Sequence, residues 1–112
     1  MGRTFSSTTL DHAMRHEELE MVKELMAIGA HVTTEAIGEA CRRNNMHIMR
    51  YVMRENLIPN TVDLKEVLEY TVSGKRTNRM LAFLLGHHWP KSEDALTEAI
   101  KSKNPYAIHA LL

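Results

Sequence analysis

The chain has 112 residues, 14 basic and 14 acidic side chains and no formal net charge with histidine neutral, and 44% of its residues are hydrophobic. That is enough apolar material for one small core and too little field to draw the whole chain onto nucleic acid or a membrane surface. A lone cysteine excludes an internal disulfide, and no stretch approaches the roughly 20 apolar residues of a membrane span.

In chain order, the first apolar block is Leu10, Ala13 and Met14, followed by Val22, Leu25 and Met26. The i, i+3, i+4 spacing predicts two short helices, and Gly29-Ala30 closes the second. The same set returns 27 positions later as Ile37, Ala40, Cys41, Met49, Val52 and Met53, opened by Thr33-Thr34-Glu35 and closed by Asn56-Leu57. A third unit opens at Thr61-Val62-Asp63 and carries Val67, Tyr70, Leu81, Leu84 and Leu85. Its two blocks are separated by a longer stretch, Ser73 to Asn78, which is expected to be the most mobile loop. Gly86-His87-His88 is expected to end this unit. The fourth runs from the cap at Ser92-Glu93-Asp94 through Leu96, Ala99 and Ile100 to Ile108, Leu111 and Leu112, with Pro105 placed for the first turn of its second helix. The expectation is an all-α array of about four helix-turn-helix units, 8–32, 33–60, 61–90 and 91–112, forming one domain.

The first unit resembles an ankyrin repeat. Thr9-Leu10-Asp11-His12-Ala13-Met14, the second-helix run from Leu19 to Met26, and Gly29-Ala30 fall on the family's opening Thr-Pro-Leu-His-x-Ala and closing Leu-Leu and Gly-Ala positions. Ala40 and Ala99 keep the small-residue column. The family repeat is about 33 residues long, and the missing length lies after Val32, where the family forms a β-hairpin finger. The resemblance therefore implies a finger-poor, degenerate ankyrin-like α-solenoid.

No motif calls for a cofactor. His12 and His16 stand one helical turn apart and His87-His88 adds two more rings, but neither a second cysteine nor a paired carboxylate completes a metal set. Cys41 shares a column with Met14, Thr71 and Ile100 on the apolar side, the place of a buried thiol rather than a nucleophile. Met14, Met21, Met26, Met46, Met49, Met53 and Met80 mostly occupy apolar columns and read as core. Trp89, just past a helical pair, is expected to pack between units. Met1-Gly2 with Ser6 meets the bare myristoylation pattern, with Arg3 ill-suited beside the glycine.

In ankyrin repeats the residues after the first-helix alanine line the concave face, and the resemblance puts Arg15-His16, Arg42-Arg43 and Lys101-Ser102 there, with Lys75 and Arg76 following Val72-Ser73 in the third unit. Such a basic ridge suits carboxylate capture, while solvated helix ends, where basic groups complement the dipole, are an equal reading. The expected job is a non-catalytic protein-interaction scaffold, cytoplasmic or nuclear, binding a partner protein or acidic peptide. Nucleic acid held through Arg15, Arg42, Arg43, Lys75, Arg76 and Arg79 is the disfavoured alternative, since charge balance and scarce aromatics oppose it. Ile108, Leu111 and Leu112 form no polar cap, so the sequence reads as a piece of a longer array or as one that self-associates end to end through these residues.

Overall fold

The computed structural model describes residues 7–112, which form eight α-helices and no strand. They come in four antiparallel pairs: α1 (Ser7–Arg15) with α2 (Leu19–Ala27), α3 (Thr34–Arg42) with α4 (Met46–Arg54), α5 (Leu64–Ser73) with α6 (Asn78–Gly86), and α7 (Glu93–Lys101) with α8 (Pro105–Leu111).

Capping chemistry sets the starts. The side chains of Thr33, Asp63, Ser92 and Asn104 accept backbone N–H groups of the first turns of α3, α5, α7 and α8, and Pro105 sits in the first turn of α8. The ends are equally regular. Glu17, Gly29, Asn44, Asn56, His88 and Lys103 adopt left-handed backbone with φ between 53° and 84°. In each case the next residue's N–H reaches five residues back, as from Glu18 to Ala13 O at 2.9 Å and from Asn45 to Ala40 O at 2.9 Å. This closure satisfies the orphan carbonyls of the last turn. In the third unit the residue so placed is His88, because Gly86 still belongs to α6. Helix α5 is the exception and runs into Gly74, which is extended. The 73–78 segment is anchored, with the Thr77 hydroxyl donating to Thr71 O and Gly74 lying so close to the Arg42 carbonyl that a side chain would not fit.

The first helices stack in sequence, α1 on α3, α3 on α5 and α5 on α7. Small side chains permit the close approach: Ala36, Gly38, Ala40 and Cys41 are all buried in α3, and the Tyr70 ring of α5 lies over Gly38. The second helices are more loosely spaced, and α4 barely meets α6, so the first-helix layer is the inner side of the row. Between the layers runs one continuous core that includes Leu10, Leu25, Ile37, Met49, Leu68, Leu81 and Leu84, each such side chain contributing about 1.5–3 kcal/mol on burial. Polar links cross the seams. Asn45 donates to Met14 O at 2.6 Å and Arg15 O at 3.2 Å, and Thr33 donates to Asp11 at 3.3 Å. The result is a row measuring 51 × 23 × 19 Å.

Candidate functional site

Because the first helices run parallel, their C-terminal ends fall along one edge, and the basic residues singled out in the sequence collect there. Arg15, Arg42 and Lys101 end α1, α3 and α7, His16 and Arg43 follow the first two, and Lys75 and Arg76 occupy the turn held against the end of α3. All seven are exposed. Their electrostatic states differ. Arg42 contacts Glu39 at 2.8 Å and Arg43 contacts the same carboxylate at 3.5 Å, so these two arginines share one negative charge from within the chain. Burial alone raises the Glu39 carboxyl, but hydrogen bonds and charge from Arg42 and then Arg43 outweigh it and hold the group below its usual range. Arg15, Lys75, Arg76 and Lys101 make no ion pair among the described residues. The His16 ring lies tilted against that of His12, with centroids 4.4 Å apart and planes at 44°.

One helical step in from that edge lies a second line that the sequence reading did not isolate. Glu39, Glu69 and Glu98 occupy equivalent positions of α3, α5 and α7, each three residues before the edge position. Along α5 and α7 they widen into an open groove of about 470 Å³ lined by Asp63, Glu66, Glu69, Tyr70, Ser73 and Glu98. Among the described residues Glu69 makes no ion pair of the kind Glu39 makes with Arg42. Its carboxyl is raised by burial and then by the charges of Asp94, Glu66, Asp63 and Glu98. Tyr70 is raised as well, first by burial and then by Glu35, Glu66 and Glu39. The inner face thus pairs a cationic edge with an anionic floor around one tyrosine. Counting acids against the repeat register would have exposed the floor; the resemblance directs attention only to the edge.

The other singled-out residues are placed as follows. Cys41 is fully buried beside Thr71, and burial pushes its thiol up to about 12, which keeps it protonated and poorly nucleophilic. Among the described residues no three histidine, cysteine or carboxylate side chains come together as a metal set, and no helix is long and apolar enough to cross a membrane. Trp89 is buried and borders a cleft with Met53, Pro59, Val62 and Leu64. At the last unit, Leu111 is buried in the core, Ile108 packs against it half-buried, and Leu112 is exposed. The acylation pattern at Met1–Ser6 lies outside the described residues.

Compared with protein-family models, curated proteins and solved structures, the chain matches none.

Proposed function

We propose that the chain is a non-catalytic protein-interaction module, ankyrin-like in organisation, that works in the cytosol or nucleus and grips a partner on its first-helix face. The supporting observation is the register of opposite charge on that face: Arg15, Arg42 and Lys101 along the edge, with Glu39, Glu69 and Glu98 one helical step inside it. Arg42 and Glu39 satisfy each other, whereas Arg15, Lys101, Glu69 and Glu98 have no ionic partner among the described residues. A partner that fits presents acidic side chains to the edge and basic ones to the floor. Such complementarity acts mainly on specificity and encounter rate. The floor also repels a phosphate backbone, which sets nucleic acid aside.

The test is capture from native lysate, followed by titration of the purified captured protein against the wild type, Arg15→Glu/Lys101→Glu and Glu69→Lys/Glu98→Lys. Arg15 and Lys101 are exposed and Glu69 and Glu98 part-buried, with none of the four in the core, so circular dichroism is expected to remain helical. Each charge reversal is predicted to weaken binding at least about tenfold, roughly 1.4 kcal/mol. Equal affinity for all three proteins contradicts the proposal.

A further inference from the structure

The connectors between units differ at one place. Residues 28–33 and 87–92 span six residues each, whereas 55–63, between α4 and α5, spans nine. The extra length, around Ile58-Pro59-Asn60, is fixed rather than slack. Val62 N–H donates to Pro59 O at 3.1 Å, and Asp63 N–H donates to the Thr34 hydroxyl at 3.0 Å, which ties the connector to the start of α3. Beside it α4 barely meets α6. That parting leaves a cleft of about 280 Å³ lined by Met53, Ile58, Pro59, Val62, Leu64 and Trp89, together with the amides of Asn56 and Asn60.

Trp89 carries the observation that points to a ligand. Its side chain is 6% exposed, yet the indole N–H, a donor that buried tryptophan ordinarily satisfies, meets no acceptor among the described residues. Nor is that nitrogen sealed in, since among those residues Asn44 Oδ1 is the one enclosed side-chain polar atom without a partner. The cleft is the opening that Trp89 borders. An apolar lining with a few convergent polar groups is the make-up of a binding site. In the first two units Ala30 and Leu57 stand at the place of Trp89, and neither side chain has a donor.

Size and charge narrow the occupant. A volume of about 280 Å³ falls just below the roughly 300–1,000 Å³ of small-molecule sites, room for an anchoring side chain and its backbone rather than a cofactor. An indole N–H calls for a carbonyl, and an asparagine amide offers a donor and an acceptor to match a peptide group. The α4 bank of the cleft is cationic. No acidic residue lies within α4, and Arg50 and Arg54, on either side of Met53 in sequence, are exposed. Arg50 makes no ion pair among the described residues, and Arg54 meets only its chain neighbour Glu55, at 3.3 Å on open surface.

We propose that this cleft docks an extended acidic segment of a partner protein. One apolar side chain of the segment enters against Trp89, and the adjoining carbonyl accepts from the indole N–H. Neighbouring peptide groups pair with Asn56 and Asn60, while flanking Asp or Glu side chains meet Arg50 and Arg54. The tied connector keeps the cleft formed before binding, so little ordering cost falls on this side of the contact. Arg15, Glu69, Glu98 and Lys101 do not line it, so the contact is separate from the first-helix face.

The experiment selects randomised peptides displayed on phage against the full chain, with counter-selection on Arg50→Glu/Arg54→Glu. Trp89 is the only tryptophan, so its emission reports the cleft directly. The selected peptides are expected to share an apolar residue flanked by Asp or Glu, and titrating them is expected to shift the emission to the blue. Affinity, read by anisotropy of the labelled peptide, is expected to fall at least about tenfold in Arg50→Glu/Arg54→Glu and about fivefold in Trp89→Phe, which loses the donor. It is expected to stay unchanged in Glu69→Lys/Glu98→Lys, which separates this contact from the first-helix face. No enriched peptide, a consensus without acidic residues, an unmoved emission, or equal affinity for the arginine variant overturns the proposal. So does an emission shift that appears on concentrating the chain alone, which would give the cleft to a second copy.

Discussion

Glu39 and Glu69 occupy the same position of neighbouring units and sit in opposite electrostatic settings. Glu39 has two guanidiniums beside it and is held below its usual range, so its ionised form stabilises the fold at neutral pH and that stabilisation is lost as pH falls through its depressed value. Glu69 is raised by burial and by four neighbouring carboxylates. The fold therefore favours its protonated form, a contribution fully present below its ordinary value of 4.5 and lost as pH rises through the raised one. Replacement of Glu69 by Gln is predicted to raise the melting temperature at pH 7, and the gain is predicted to vanish below about pH 4, where the carboxyl is already neutral. Thermal scans across that range decide it, and an equal gain at both pH values would assign the effect to something other than charge. Asn45 shows a different legibility. Its place in a turn can be read from the sequence, but its bonds to Met14 O and Arg15 O depend on the neighbouring unit coming to rest against it.

At the scale of the element, each helix is only seven to ten residues long, too short to persist alone in water, so packing and caps hold it. This is why the sequence announces the helices well. Periodicity names the buried faces, and Thr33, Asp63 and Ser92 stand where capping residues are expected. Helix endings are less legible. Glu17, His88 and Lys103 take the left-handed place that glycine or asparagine would advertise, because the bonds back into each helix outweigh a local cost of about 1–2 kcal/mol. Close approach of α3 and α5 is hidden too, since Gly38 in mid-helix reads as a propensity defect. A Cβ there would lie 2.5 Å from the Tyr70 ring. Gly38→Ala, which on helix propensity alone would stabilise by up to about 1 kcal/mol, is instead predicted to destabilise by about 1–3 kcal/mol. Chemical denaturation measures the sign directly, and a stabilised variant would show that α3 and α5 have room to part.

At the scale of the molecule, the row binds its units through repeated seams and leaves its inner face open, and the functional account rests on that division. The all-α architecture follows from the repeat of Leu10, Ala13 and Met14 in later units and could be read from the sequence. The charge pattern could be read only in part: Arg42 and Arg43 stand out as a pair, whereas Glu39, Glu69 and Glu98 align only once spacings of 30 and 29 residues are set side by side. Their clustering with Asp63, Glu66 and Tyr70 needs the packing of α5 on α7. The most direct test of the account is a backbone amide shift map of the isotope-labelled chain with its captured partner. Shifts concentrated at Arg15, Glu69, Tyr70, Glu98 and Lys101 are predicted. Shifts confined to the exposed His47, Arg50 and Arg54 of α4, with the first helices unmoved, would contradict it.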